Sequence, residues 1–157
     1  MELIRFKTVN ELRERIFRTP LEQYVLLQLD DRNIQPDDNC FHRLLQVAEE
    51  VDSTLTYCWF RDRLPDGTIR NHPVNDYQPG SVRDDFDFGP MVLLNAADVL
   101  AATEDFTDEE SSMIDGGWYA MRLRLTASNM IAMIQEYLYT AAEPDLRDSG
   151  AKQHDYV

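Results

Sequence analysis

The sequence is poor in cysteine and in basic residues and has no long apolar run, and each shortage excludes a class of protein. The two cysteines, Cys40 and Cys58, are too few for a disulfide framework and lack the spacing of a zinc site. No run of 18 apolar residues is present, so the sequence predicts no membrane-spanning helix. The first residues also lack the apolar core of a signal peptide. We therefore expect a cytoplasmic chain without membrane insertion.

Basic residues are outnumbered, because 15 Lys and Arg stand against 29 Asp and Glu and leave a net charge of −14. Proteins bind nucleic acids and anionic membranes by neutralising phosphates, so this balance disfavours both partners. A phosphorylated small molecule remains compatible, because a local site can hold it. The 43% of apolar residues separates the chain from disordered acidic tails. A length of 157 residues predicts one domain.

The sequence also lacks the short motifs of several enzyme classes. It contains no GxGxxG and no GxxxxGK[ST] loop, which gives no support to a dinucleotide fold or a P-loop. It has no GxSxG nucleophile motif. The three histidines, His42, His72 and His154, are scattered without the spacing of a metal site or a triad. The sequence therefore predicts no metal site built on histidine.

Apolar patterning predicts an α/β fold. Residues 24–29 form a nearly continuous apolar run, interrupted by Gln28, that is typical of a strand buried on both faces. Pro36 and the following acidic residues favour the start of a helix that extends to about Glu50. Residues 54–60 are β-branched and aromatic, typical of a second strand, which completes a βαβ unit. Further strands are predicted at residues 3–6, 91–94 and 130–134, and further helices at 11–17, with Asn10 as the N-cap candidate, at 96–102 and at 118–125.

Asp30 and Asp31 follow the first buried strand, with Arg32 next to them. Ligands of open α/β sheets collect at the carboxyl ends of strands, so these carboxylates are candidates for holding a divalent ion or a hydroxyl-rich ligand. The alternative is a capping turn, in which aspartate is common. The Arg32 cation would compete with a bound metal.

A long irregular segment, residues 62–87, precedes the strand at 91–94 and carries a second candidate site. At its end and just beyond it, the sequence reads Arg83, Asp84, Asp85, Phe86, Asp87, Phe88, Gly89. Carboxylates and planar aromatic rings together are typical of sites that bind sugars. The alternative is a solvated acidic loop. Trp118 follows two glycines and is a candidate either for lining a pocket or for packing on the core.

These motifs resemble the central and C-terminal part of bacterial family 2 glycosyltransferases. The resemblance rests on the strand at 24–29 followed by Asp30 and Asp31, on the helix that Pro36 opens and on the strand at 54–60. It also rests on residues 72–89, 122–125 and 136–139 and on the tail through Val157. It implies a three-layer α/β domain of the GT-A fold with a mixed sheet. It also implies transfer of a sugar from a nucleotide-sugar to a glycan acceptor in polysaccharide biosynthesis. The donor side would carry Asp30, Asp31 and Arg32, and the acceptor side Arg83, Asp84, Asp85 and Trp118.

The sequence departs from that family at three points. Arg32 stands where a second metal-binding aspartate is expected; it cannot ligate Mg²⁺ or Mn²⁺, but its guanidinium can pair with a diphosphate. The position of the catalytic base falls on Gly117 and Trp118, with Asp115 two residues earlier. Only 23 residues precede the first buried strand. We therefore expect one domain over residues 1–157 without the N-terminal nucleotide-binding units, as part of a longer chain. The alternative is a non-catalytic glycan-binding or assembly domain.

Overall fold

The structure is a computed structural model, and it describes residues 1–77, 86–106, 113, 117–127 and 129–143. Within these residues the chain forms strands and helices in a mixed order. They are β1 (Leu3–Ile4), α1 (Val9–Arg18), β2 (Tyr24–Gln28), β3 (Ile34–Pro36), α2 (Cys40–Val51), β4 (Leu55–Arg63), β5 (Ile69–His72), β6 (Met91–Asn95), α3 (Ala96–Ala102), α4 (Trp118–Thr126) and β7 (Ile131–Ala142).

The strands form one mixed sheet in the order β1-β2-β6-β4-β7-β3, with β5 paired to β4. The predicted α/β class with a mixed sheet is confirmed. Strands β2 and β4, which the sequence predicts as one βαβ unit, are not neighbours in the sheet. Strand β6 lies between them and is antiparallel to both. The two strands of the βαβ unit are therefore separated in the sheet by a strand that comes later in the chain.

Strands β4 and β7 run parallel along the length of β4, from the Leu55–Ile131 pair to the Arg63–Ala142 pair, with register shifts on both sides of Trp59. Along its other side, β4 pairs with β6 at Leu55 and Thr56 and with β5 from Phe60 onward. The second half of β4 therefore extends beyond β6, and the sheet curls.

A local signal explains where the first helix begins, whereas the predicted start of the second helix is wrong. Helix α1 starts after Thr8, whose side chain accepts a hydrogen bond from the Glu11 backbone N–H at 3.1 Å. The expected start of α2 at Pro36 is wrong, since Pro36 lies in β3 opposite Tyr139. Proline lacks the backbone N–H of a strand interior but is tolerated on an edge strand, and β3 is at the edge. The helix begins four residues later, after Asn39.

The core lies around β2, β4 and β6. Residues 24–27 are all buried, as expected for a strand covered on both faces. Cys40 of α2 and Cys58 of β4 are buried free thiols. Within the part of the chain that the structure describes, no helix is long and apolar enough to cross a membrane.

Candidate functional site

A cavity of about 450 Å³ opens at the carboxyl ends of β1 and β2. This edge is where ligands of open α/β sheets bind. The segment after β1 contributes one wall, the end of β2 a second, and α4 a third. The lining residues are Arg5, Phe6, Lys7, Gln28, Leu29, Met113 and Trp118. We call this cavity the cationic cleft.

The charge of the cleft is opposite to that of the whole chain. Arg5 and Lys7 are both exposed, while Phe6 between them is buried, because alternate residues of an extended segment point to opposite sides. Neither cation has an ion-pair partner among the described residues. Two unpaired cations beside the half-buried indole of Trp118 suit an anionic ligand that also has a flat or apolar part.

The predicted donor residues lie next to the cleft and form a closed turn. Oδ1 of Asp30 accepts a hydrogen bond from the Arg32 backbone N–H at 3.0 Å, and Oδ2 accepts one from Arg32 Nε at 2.8 Å. The Gln28 amide, which lines the cleft, donates to the Arg32 carbonyl oxygen at 2.6 Å. This is the geometry of the capping-turn alternative.

The turn does not fit a divalent ion. Both Asp30 oxygens are occupied by Arg32, whose cationic side chain would lie against the metal. Across the described residues, no group of three or more His, Cys, Asp or Glu side chains is arranged to hold a metal ion. The Mg²⁺ or Mn²⁺ implied by the family resemblance therefore does not match this donor set.

Of the four predicted acceptor residues, the structure describes one. Trp118 lines the cleft, next to the end of β2. Arg83, Asp84 and Asp85 lie outside the described residues, as do Asp115 and His154. The neighbouring Phe88 is buried and contacts Tyr57 edge-on, with ring centroids 5.0 Å apart. This ring is therefore part of the core and is not a platform for a sugar.

Sequence reasoning missed a second polar cluster, which we call the His72–Asp62 dyad. Asp62 is buried in β4, and its Oδ2 lies 2.7 Å from His72 Nδ1 and 3.4 Å from an Arg70 nitrogen. The signal was present in the sequence. In β4 the buried Phe60 and Asp62 alternate with the half-buried Arg61 and Arg63, which places a carboxylate on the inner face.

Aromatic rings hold the dyad in place. The His72 ring stacks on Phe60 with centroids 4.4 Å apart, and Tyr139 stacks on Phe60 from the side of β7 at 5.2 Å. The Tyr139 hydroxyl is buried without a hydrogen-bond partner among the described residues. Burial raises the pKa of Tyr139 well above its ordinary value, while the Arg32 charge opposes that shift.

A series of contacts leads from the cleft to the dyad. The side-chain amide of Gln28, which lines the cleft, donates a hydrogen bond to the Arg32 carbonyl oxygen. The Arg32 guanidinium lies 5.7 Å from the centre of the Phe60 ring. His72 stacks on the same ring. The cationic cleft and the dyad are thus connected through the side chains of Arg32 and Phe60.

The chain matches no model of a known protein family, and no curated protein is similar to it at a significant level.

Proposed function

We propose that the chain is a glycosyltransferase-like domain of the three-layer GT-A type, with a role in bacterial polysaccharide biosynthesis. In this proposal it binds a nucleoside-diphosphate sugar in the cationic cleft and transfers the sugar to a hydroxyl group of a glycan. The observation that carries the proposal is the cleft itself: an indole and two cations without an ion-pair partner among the described residues, at the carboxyl ends of β1 and β2. The family resemblance of the sequence agrees with it.

The parts of the cleft match the parts of such a donor. The Arg5 guanidinium suits the geometry of phosphate oxygens, and Lys7 supplies a second point charge. The Trp118 ring offers a face for a base or for the apolar side of a sugar. A volume of about 450 Å³ is within the usual range of small-molecule sites.

The proposal assigns neutralisation of the diphosphate to side chains of this chain. Asp30 is closed onto Arg32 and does not offer a free carboxylate to a metal. Donor binding should therefore be the same with and without Mn²⁺. This expectation separates the cleft from a metal-dependent donor site.

Calorimetric titration with UDP-glucose, GDP-mannose and dTDP-glucose tests the proposal. Arg5→Ala and Lys7→Ala should each weaken binding of the preferred donor about tenfold or more, since a hydrogen bond to a charged group contributes about 1.5–3 kcal/mol. Arg18→Ala is the matched control, because Arg18 is an exposed cation on α1 outside the cleft. No heat from any donor at millimolar concentration would reject the proposal.

A second candidate is a non-catalytic glycan-binding or assembly domain. It is favoured by Asp30, which is engaged in a turn, and by the position of the family's base, which falls on Gly117 and Trp118. This candidate predicts binding of glycan oligosaccharides without any release of nucleoside diphosphate. Titration with such oligosaccharides in the absence of a donor separates the two functions.

A further inference from the structure

We propose that His72 is the general base that removes the proton from the acceptor hydroxyl, and that the buried Asp62 carboxylate positions it. The inference rests on the proposed transferase function and supplies the base that the family pattern lacks in this sequence. It is carried by the His72–Asp62 dyad, which lies in the curled part of the sheet.

The hydrogen bond of the dyad selects the form of the imidazole. An ionised carboxylate only accepts hydrogen bonds, so His72 Nδ1 donates to Asp62 Oδ2 at 2.7 Å. In the neutral ring, this leaves the lone pair on Nε2, which makes no hydrogen bond to a described residue. The His72 side chain is 40% exposed while Asp62 is 4% exposed. A substrate can therefore contact the His72 ring, whereas the Asp62 carboxylate is shielded from solvent and from the substrate.

Packing fixes the direction of the ring. His72 and Phe60 are paired across β5 and β4 in the sheet register, and their rings stack at 20° between planes. A base held on two strands keeps its orientation when substrate arrives, which is what efficient proton transfer requires. The other charged groups that the structure describes near the dyad are Arg70 on Asp62, Glu143 at 3.9 Å from Arg70, Arg32 across the Phe60 ring, and Asp87, whose negative charge acts on the neighbouring Tyr139.

The proton transfer completes a balanced displacement. Nε2 of His72 takes the proton of the acceptor hydroxyl, and the electron pair of that oxygen forms the new bond to the anomeric carbon of the donor sugar. The bond between this carbon and the diphosphate oxygen breaks, and its electron pair leaves with the nucleoside diphosphate. Arg5 and Lys7 bind the charge of the leaving group in the cationic cleft.

The test measures release of nucleoside diphosphate from UDP-glucose, GDP-mannose and dTDP-glucose, with water and with oligosaccharide acceptors. His72→Gln should lower kcat at least about 100-fold, within the range of general-base contributions, and leave the calorimetric Kd of the donor unchanged. His42→Gln, which removes an exposed histidine from α2, should leave both unchanged.

Asp62→Asn tests the positioning role by a different readout. It should shift the acidic limb of the kcat profile and reduce the Nδ1–H form of His72 in the nitrogen NMR spectrum. A purely structural Asp62 would change stability and leave the pH profile in place. If this variant fails to fold, the NMR spectrum of the wild-type chain still reports whether Nδ1 carries the proton.

The outcomes separate the two proposals. Unchanged kcat in His72→Gln overturns the role of His72 and leaves the transferase function intact. Donor binding without any turnover in the wild-type chain also overturns it. No donor binding overturns the proposed function together with this inference. Loss of kcat at constant Kd, with the Nδ1–H form in the spectrum, supports both.

Discussion

Tyr57 shows how one buried hydroxyl connects a loop to the sheet. Its side chain donates a hydrogen bond to the Asn75 carbonyl oxygen at 2.8 Å and accepts one from the Tyr77 backbone N–H at 2.8 Å. Burial raises the pKa of Tyr57 to about 12. The segment that follows His72 is therefore held to β4 by a group that must stay neutral.

We expect Tyr57→Phe to lower the free energy of unfolding by about 1–3 kcal/mol at pH 7, because it removes the partner of the buried Tyr77 backbone N–H and of the partly buried Asn75 carbonyl oxygen. The pKa of Tyr57 is higher in the folded state than the ordinary value of 10.0. Its stabilising contribution is thus present below pH 10 and is lost as pH rises toward 12. The stability difference between wild type and variant should narrow over this range.

Urea unfolding between pH 7 and pH 11.5 measures this difference. The variant lacks the phenol that ionises on unfolding, so its stability should fall less steeply with pH than that of the wild type. If the free energies of unfolding of the two proteins fell equally with pH in the alkaline range, the raised pKa assigned to Tyr57 would be contradicted.

At the scale of elements, two glycines with positive φ mark the ends of strands. Gly67, with φ of +88°, lies in the turn between β4 and β5, and a Cβ added there meets nothing within 4 Å. Gly89, with φ of +87°, lies just before β6, and a Cβ there would be 2.9 Å from the Tyr139 hydroxyl and 3.2 Å from Phe60. A side chain at either position would therefore be strained by the positive φ, and at Gly89 it would also clash with neighbouring atoms.

Gly67→Ala should cost about 1 kcal/mol of unfolding free energy from strain alone. Gly89→Ala should cost about 3 kcal/mol or more, because the buried Tyr139 and Phe60 rings have little room to move and overpacking adds to the strain. Chemical denaturation of the two variants compares them directly, with Gly67→Ala as the matched control. Equal losses would show that the rings around the dyad are loosely packed.

At the scale of the whole molecule, the net charge of −14 opposes the compact state. Partly exposed ion pairs such as Arg43–Glu136 contribute little against this repulsion. We therefore expect Tm to rise by a few degrees between 10 and 200 mM NaCl, as the Debye length falls from about 30 Å to less than 10 Å.

Differential scanning calorimetry at pH 7 checks this salt dependence. The same titration near the sequence pI of 4.4 is the control, because the net charge is then close to zero and the rise should disappear. A Tm that falls with salt at pH 7 would show that attractive pairs outweigh the net repulsion.

Local sequence patterns are sufficient to predict the α/β class of the fold and most of its strands and helices. Strands β2 and β6 and helix α3 lie where the apolar patterning predicts them, because alternation and helical spacing depend on residues close together in the chain. The prediction of an irregular segment over residues 62–87 is wrong at its start, because β4 continues to Arg63 and β5 follows at Ile69–His72. The burial of Cys40 and Cys58 also follows from residue type. The Asp30–Arg32 turn was one of two interpretations that the sequence left open.

Which strands pair and which distant side chains come into contact depends on the tertiary structure. Pro36 became part of a strand because the edge of β7 was free to pair with it, and β6 entered between β2 and β4. The cationic cleft joins Arg5 and Lys7 to Trp118, more than 100 positions later in the chain. The dyad joins Asp62 to His72 through a hairpin register. Strand order and side-chain proximity depend on long-range pairing, which local sequence patterns do not specify.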